Sequence, residues 1–352
     1  MRLRPRTLCF LLVIALVAIA FVSPNFGSTD ALSAGETWRG FLAHLRLGEP
    51  LEIGKQTIFE LRFNRTLVTI AVGAALALSG GLMQGVFRND LASPSLLGVS
   101  AGASLGASVA ILLLGGYAPG LMEKASMSAP LFVCLAALTG AVGVTALVAW
   151  IATRDGRLSV PTLLLVGIAM NAVTNGLLFA IQALVLADFE VTRALISWAF
   201  GTLDNRMGLH AVMVFLGVGF AALLIPFVRM ELDLFAAGES DAEALGVDTR
   251  RTKILALGGA SVAAAVAVAV AGNITFVGLV VPHLIRLVCE RSHRSLLPLC
   301  LLGGPVFLLG TDLVQRMLLG DLQLGPGVTM SLIGGPFFLF LLIRNRRAVQ
   351  TW

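Results

Sequence analysis

Charged side chains are the residues most able to do chemistry inside long apolar stretches, and this 352-residue sequence has very few of them there. The main candidates are Asp312 and Arg316, which are four residues apart and so share one face of a helix. Carriers driven by protons or sodium usually need buried carboxylates or a comparable ion site, so this scarcity argues against an ion-driven carrier. The sequence also lacks the G-x-x-x-x-G-K-S/T phosphate loop, and we therefore predict no ATP site of that type in this chain.

Metal and catalytic sites are not indicated either. The histidines, His44, His210, His283 and His293, are scattered, and the four cysteines lie in apolar stretches without the spacing of metal ligands. No pair of Asp residues, and no His with Glu, is found where an intramembrane enzyme would need it. We predict that the chain is not an enzyme and that it binds no metal or cofactor itself.

Uncharged polar side chains within the apolar stretches are the remaining candidates. Asn171 and Asn175 are four residues apart and share a helix face. Such side chains either hydrogen-bond to neighbouring helices or line an aqueous path, and both interpretations stay open. The candidates for lining a path are Gln84, Ser100, Ser104, Asn171 and Asn175.

One polar segment, 231–253, has a pattern typical of contact with a partner protein. Ser240 with Glu243 predicts a capping box, and Gly246 is placed to end a short helix. We expect a short helical pair that fits a groove in a partner, with a solvated loop as the alternative. Its small apolar surface would comprise Ala242, Ala244 and Leu245.

The elements that must position these residues are membrane helices. Hydrophobic residues make up 57% of the chain, charged residues only 13%, and the mean hydropathy is +0.91. This composition excludes a soluble enzyme, a disordered tail and a collagen-like fibre. It predicts an all-α polytopic membrane protein, with 1–352 as a single transmembrane domain. Gly98, Gly102 and Gly106, at intervals of four, predict a helix face for close packing.

Nine apolar stretches are present, and the seventh, 254–285, is too long for one crossing. Basic clusters stand on both sides of it and should both be cytoplasmic, so the stretch crosses twice and breaks near Gly272 and Asn273. Ten transmembrane helices result, with both termini in the cytoplasm. The basic residues that support this orientation are Arg250, Arg251, Lys253, Arg286, Arg291 and Arg294 inside the chain, and Arg2, Arg4, Arg6, Arg344, Arg346 and Arg347 at its ends.

The segment 23–65 is then a long outer loop, with Arg62 and Arg65 immediately before the second transmembrane helix. The two arginines could anchor the helix at the level of the lipid headgroups. They could instead form a cationic rim for an acidic protein that arrives from outside.

Several motifs in the right order give the chain a family resemblance. The stretch RFNRTLVTIAVGAALALSGGLMQGVFRNDLASPSLLGVSAGA (62–103) closely resembles the permease subunits of bacterial ABC importers for iron–siderophores, haem and cobalamin. GLVVPHLIRLV (278–288), HRSLLP (293–298) and GPGVTMSLIGGPFFLFLL (325–342) do so too. Arg-Phe-Asn-Arg stands where the family has R-x-P-R, and Asp90 stands where Pro is usual.

The resemblance implies a type II ABC importer permease fold and a homodimer with the pathway at the subunit interface. It implies two cytoplasmic ATPase subunits, which use ATP and magnesium, and a periplasmic or lipid-anchored substrate-binding protein. Arg62, Arg65 and Arg316 match the family's docking arginines. The inner gate corresponds to Asn89 and Leu91, with a second gate position at Val160 and Pro161. The coupling helices correspond to 231–253, with contact residues Glu239, Ser240, Asp241, Ala242, Glu243, Ala244, Leu245 and Gly246.

The predicted function is therefore that of a permease subunit of an ATP-driven, binding-protein-dependent importer in the bacterial inner membrane. Its expected cargo is an iron–siderophore complex, or else haem or cobalamin, and no nucleic acid is expected among its partners. The alternative is a stand-alone secondary carrier or channel for a large solute.

Overall fold

The computed structural model describes residues 3–27, 32–115, 128–154, 157–204, 206–290, 292–319 and 324–344. Arg2, Arg291, Arg346 and Arg347, which support the predicted orientation, lie outside these ranges. The helices in the described residues are α1 Pro5–Val22, α2 Ala34–His44, α3 Ile53–Phe87, α4 Val99–Leu113, α5 Ser128–Ala152, α6 Val160–Leu184, α7 Phe189–Ala199, α8 Gly208–Phe235, α9 Glu239–Ala244, α10 Thr249–Ala271, α11 Val277–Val288, α12 His293–Leu319 and α13 Pro326–Arg344. Thr153–Arg154 (β1) and Arg157–Leu158 (β2) pair as a short antiparallel hairpin between α5 and α6.

Ten apolar helices in the described residues confirm the predicted all-α polytopic architecture. Seven of those in the described part of the chain are long and apolar enough to cross a membrane, namely α1, α3, α5, α6, α8, α10 and α12. Three shorter apolar helices, α4, α11 and α13, complete the set. The break within 254–285 falls where it was predicted, because α10 ends at Ala271 and Gly272 adopts a φ of +72°. Glycine reaches this left-handed conformation without the steric penalty that a Cβ atom brings.

The outer segment 23–65 is not the loop that was predicted. Ser33 and Glu36 form a capping box that begins α2, and α3 begins at Ile53, well before the apolar stretch. Because residues 53–65 include charged side chains, a search for apolar stretches does not detect this part of the helix. The 35 residues of α3 contain no proline and span about 52 Å at ~1.5 Å per residue, so the helix is longer than the hydrocarbon core.

The centre of the molecule is formed by α3 and α10. Every residue from Ala71 to Phe87 of α3 is buried, and α3 packs against α8, α10, α11 and α12. Gly80 of α3 meets Gly278 of α11 so closely that a Cβ atom on Gly80 would overlap the backbone of α11. Small residues allow the two helices to approach this closely. Lipid provides no hydrophobic drive for helices to associate, so close packing of this kind stabilises the contact.

The predicted glycine face of α4 is confirmed in part. Gly102 and Gly106 contact the backbone of α5 at Gly140 and Ala136. Gly98 precedes α4 with a φ of +79°, so it forms the turn into the helix, and it also packs closely against Val144 of α5.

Candidate docking, gate and coupling sites

A buried cluster of opposite charges joins α3 to the C-terminal part of α12. Arg65 on α3 donates to Asp312 Oδ1 through Nη2 at 2.6 Å, and its Nη1 forms a second ion pair with Asp204. Arg316, one turn after Asp312 on α12, bonds Asp312 Oδ2 through Nη2 at 2.9 Å. The Asp312 side chain is 1% exposed, so it depends on these arginines, because an unpaired charge at such a site is strongly destabilising.

Two of the predicted docking arginines also hold the chain segment that follows α1. Arg316 Nη1 donates to the carbonyl oxygens of Ser23 at 2.9 Å and Phe26 at 2.6 Å. Arg62 Nη1 donates to the carbonyl oxygen of Pro24 at 3.2 Å. Arg62 is buried inside α3 and does not precede a transmembrane helix, which corrects the predicted placement. In this structure, therefore, the arginines fasten α1, α3 and α12 together and do not form an open cationic rim.

Sequence reasoning found three residues of this cluster, Arg65, Asp312 and Arg316, but not their pairing. The spacing of Asp312 and Arg316 indicated that they share a face, whereas the contact of Asp312 with Arg65 joins positions 247 residues apart. Asp204 was not predicted at all, and no local spacing in the sequence pointed to it.

The candidates for lining a path do not form one group. Gln84 is buried within the chain, where Arg286 donates to its Oε1 and its Nε2 lies 3.4 Å from the carbonyl oxygen of Gly278. Ser100 lines a cavity of about 230 Å³ between α3, α4 and α10. Asn171 donates to the carbonyl oxygen of Ser95 at 3.0 Å. Ser104 is half-buried on α4, and Asn175 is exposed on α6.

The predicted inner gate lies in the turn that follows α3. Asn89 Oδ1 accepts the backbone N–H of Leu91 at 2.9 Å, and both residues are exposed. Between them, Asp90 forms an ion pair with Arg286 of α11 at 3.2 Å. The residue that departs from the family pattern thus ties the gate turn to α11.

Val160 and Pro161 occupy the first turn of α6. Ser159 precedes them as the N-cap, and its Oγ accepts the N–H of Thr162 at 3.5 Å. Proline is well suited to this position because the first N–H groups of a helix have no intrahelical acceptor. The helix entry explains these residues locally, and their role as a gate stays a prediction.

The segment 231–253 contains one short helix, α9, between the end of α8 and the start of α10, where a short helical pair with a capping box was predicted. Ser240 lies inside α9, which begins after Gly238 without a side-chain cap. Gly246 ends the helix as predicted, with a φ of +87° and an N–H that donates to the carbonyl oxygen of Glu243 at 2.9 Å. The N–H of Val247 donates to the carbonyl oxygen of Ala242 at 3.0 Å, and the two bonds make a Schellman motif.

Contacts with α10 and with the β-hairpin fix α9 in place. Lys253 Nζ forms an ion pair with Glu239 and donates to the carbonyl oxygen of Leu158 at 3.1 Å. Thr249 Oγ1 donates to Glu243 at 2.8 Å. These residues border an open cleft of about 810 Å³. Ala242 is buried, so the predicted apolar surface is limited to Ala244 and Leu245, and Leu245 at the end of α9 leaves 67% of its surface exposed. An apolar side chain presented from a firmly held helix is a suitable contact for a partner protein.

Comparisons with known proteins agree with this architecture. The FecCD transport family model matches residues 10–344. The chain is 37% identical to the cobalamin import system permease protein BtuC of Halobacterium salinarum, over 97% of this chain and 88% of that protein. It is 33% identical to the hemin transport system permease protein HmuU of Yersinia pestis, over 98% of both. A metal-chelate type ABC transporter solved in an inward-facing conformation superimposes with a TM-score of 0.78 at 27% identity, covering 96% of this chain and 99% of that one.

These matches extend over almost the whole chain, and the family model begins within α1 and reaches the end of α13. The chain belongs to the FecCD transport family and is a permease subunit of an ABC importer.

Proposed function

We propose that this permease carries a bulky metal chelate inward, as one half of a homodimer whose pathway runs along the subunit interface. The observation that carries the proposal is the match over nearly the full length to permeases named for cobalamin and hemin. An iron–siderophore complex, haem and cobalamin are the candidate cargoes. All three are large metal complexes, which a wide pathway of small, polar and apolar side chains would suit.

Two cytoplasmic ATPase subunits would supply the energy, with each permease offering α9 as its contact. The ion pair of Lys253 with Glu239 and the Schellman motif at Gly246 support this role, since they make α9 a firm projection. The ion pair of Lys253 with Glu239 joins α9 to α10, which lies at the centre of the molecule. A displacement of α9 by the ATPase would therefore move α10 as well. The permease itself would break no covalent bond.

A substrate-binding protein would dock on the opposite face, at Arg62, Arg65 and Arg316. Of the two arginines that pair with Asp312, Arg65 is the more accessible: 14% of its side chain is exposed, against 10% for Arg316. In this orientation α9 and both termini face the cytoplasm, and the membrane is the bacterial inner membrane.

Reconstitution into proteoliposomes with the ATPase and the binding protein tests the function and the cargo together. Uptake of labelled ferric siderophore, haemin and cyanocobalamin is measured with and without ATP, and one of the three should accumulate only with ATP. Leu245→Asp should lower ATP-driven uptake at least tenfold by disrupting the ATPase contact. Leu47→Asp is the matched control, because Leu47 is equally exposed but lies on the outer segment.

Uptake that persists without any ATPase would instead favour a stand-alone carrier or channel. Equal loss in both leucine variants would point to a general folding defect, and it would remove α9 from the coupling role.

A further inference from the structure

The outer charge cluster comprises Arg65, Asp204, Asp312 and Arg316. Asp204 is the member that another carboxylate could replace. Arg65 lies between two carboxylates that differ sharply in burial: Asp312 is 1% exposed, and Asp204 is 57% exposed. Asp312 also pairs with Arg316. It cannot leave the cluster, because the buried arginines would then lack a counter-charge. The two arginines and Asp312 carry a net charge of +1, which Asp204 neutralises from the solvent side.

Asp204 is attached to a turn that joins three elements. The turn follows α7, and it is held by the N–H of Thr202, which donates to the carbonyl oxygen of Ala271 at 2.8 Å. The carbonyl oxygen of Phe200 accepts the N–H of Gly327 on α13 at 2.9 Å. The N–H of Asp204 itself donates to Thr202 Oγ1 at 3.2 Å. A change at Asp204 therefore acts on the junction of α7, α10 and α13.

The same turn forms part of the wall of an open cavity. This cavity has a volume of about 420 Å³, and its lining includes Phe189, Arg193, Phe200, Asp204 and Pro326. It lies on the same side of the molecule as the arginine cluster, because Asp204 belongs to both. The ion pair with Arg65 thus connects the docking residues directly to the wall of the cavity.

We propose that Asp204 occupies Arg65 in place of a carboxylate of the substrate-binding protein, and that docking exchanges one for the other. This inference rests on the proposed docking role of Arg65. The incoming carboxylate takes over the neutralisation of Arg65, so no buried charge is left unpaired, and the exposed Asp204 carboxylate is solvated by water. Asp204 is released, the turn after α7 loses one of its anchors, and the outer cavity can change shape only beneath a docked binding protein.

Asp204→Asn separates this exchange from docking itself. Without the competing carboxylate, the purified binding protein of the same importer should bind the permease–ATPase complex in nanodiscs about two- to fivefold more tightly, the range expected from an exposed ion pair. Glu49→Gln is the matched control, since it removes one exposed outer carboxylate that takes no part in the arginine contacts described above. Binding in the control should stay unchanged.

A second measurement needs no binding protein. A nitroxide on Ser197→Cys, which lines the cavity from α7, reports the mobility of that helix by electron paramagnetic resonance. Asp204→Asn should raise the mobility in the free complex to the level that the parent complex reaches on docking. Unchanged affinity together with unchanged mobility would overturn the exchange.

Arg65→Glu shows which proposal fails. If this variant still assembles with the ATPase and loses binding while Asp204→Asn behaves like the parent, docking at Arg65 stands and only the exchange is refuted. If Arg65→Glu binds normally, both proposals fall.

Discussion

The side chain of Glu36 connects the surface helix α2 to the long helix α3. Its carboxylate accepts the N–H of Ser33 at 2.8 Å and a hydrogen bond from Lys55 Nζ, on α3, at 2.5 Å. The bond from Lys55, together with those from Ser33, lowers the pKa of Glu36 from its ordinary value of 4.5 to about 2. The carboxylate therefore both caps α2 and ties it to α3.

The lowered pKa predicts how α2 responds to acid. A group with a depressed pKa in the folded state contributes stability that is complete above the ordinary value and is lost as the pH falls through the folded value. We expect the amides of α2 to lose protection against hydrogen exchange as the pH falls from about 4.5 to about 2, after correction for the intrinsic rate. Glu36→Gln should lack this transition, and a transition of the same size in that variant would contradict the assignment.

Individual residues also mark what sequence alone can and cannot predict. Gly246 was placed correctly because its role depends on local backbone conformation. Ser240 was misplaced because the capping pattern also fits a residue already inside the helix. The partners of Arg65 could not be predicted, since they come from α12 and from the turn after α7.

Close packing between α3 and α11 gives the sharpest test at the scale of elements. A Cβ atom on Gly80 would overlap the carbonyl group of Gly278, so the two helices must separate to accept it. We expect Gly80→Ala to lower the melting temperature of the detergent-solubilised protein by several degrees, through a cost of about 1–3 kcal/mol from overpacking.

Gly258→Ala is the control for this substitution. Gly258 also lies within a central helix, but a Cβ atom there would meet nothing within 4 Å. This variant should match or exceed the parent in stability, because alanine favours a helix interior over glycine. Equal melting temperatures for the parent and Gly80→Ala would show that the helices adjust without cost.

Most elements were predictable because apolar length and charge position determine them. The length of 254–285 and its basic flanks required a break, and Gly272 supplies it. The start of α3 was not predictable in this way, because residues 53–65 are helical through contacts with α2 and the segment after α1, and not through apolar character.

The orientation of the whole molecule is the feature on which the two docking faces depend. The predicted ten crossings would place both ends on one side, and the positive-inside rule predicts that this side is the cytoplasm. Epitope tags added at both ends should be protected from protease applied to intact spheroplasts. A tag inserted between Gly48 and Glu49 should be cleaved, and cleavage at only one terminus would contradict the count of ten.

The helix α3 spans this protein without interruption. Arg62 and Arg65 lie towards one end of α3, and the gate turn with Asn89 begins directly after its other end, about 36 Å from Arg65 at ~1.5 Å per residue. Because no proline interrupts α3, we expect it to tilt as one body about its close contacts with α12 at Gly73 and with α11 at Gly80. A small tilt at the Arg65 end of the helix would then displace the turn at Asn89 in the opposite direction.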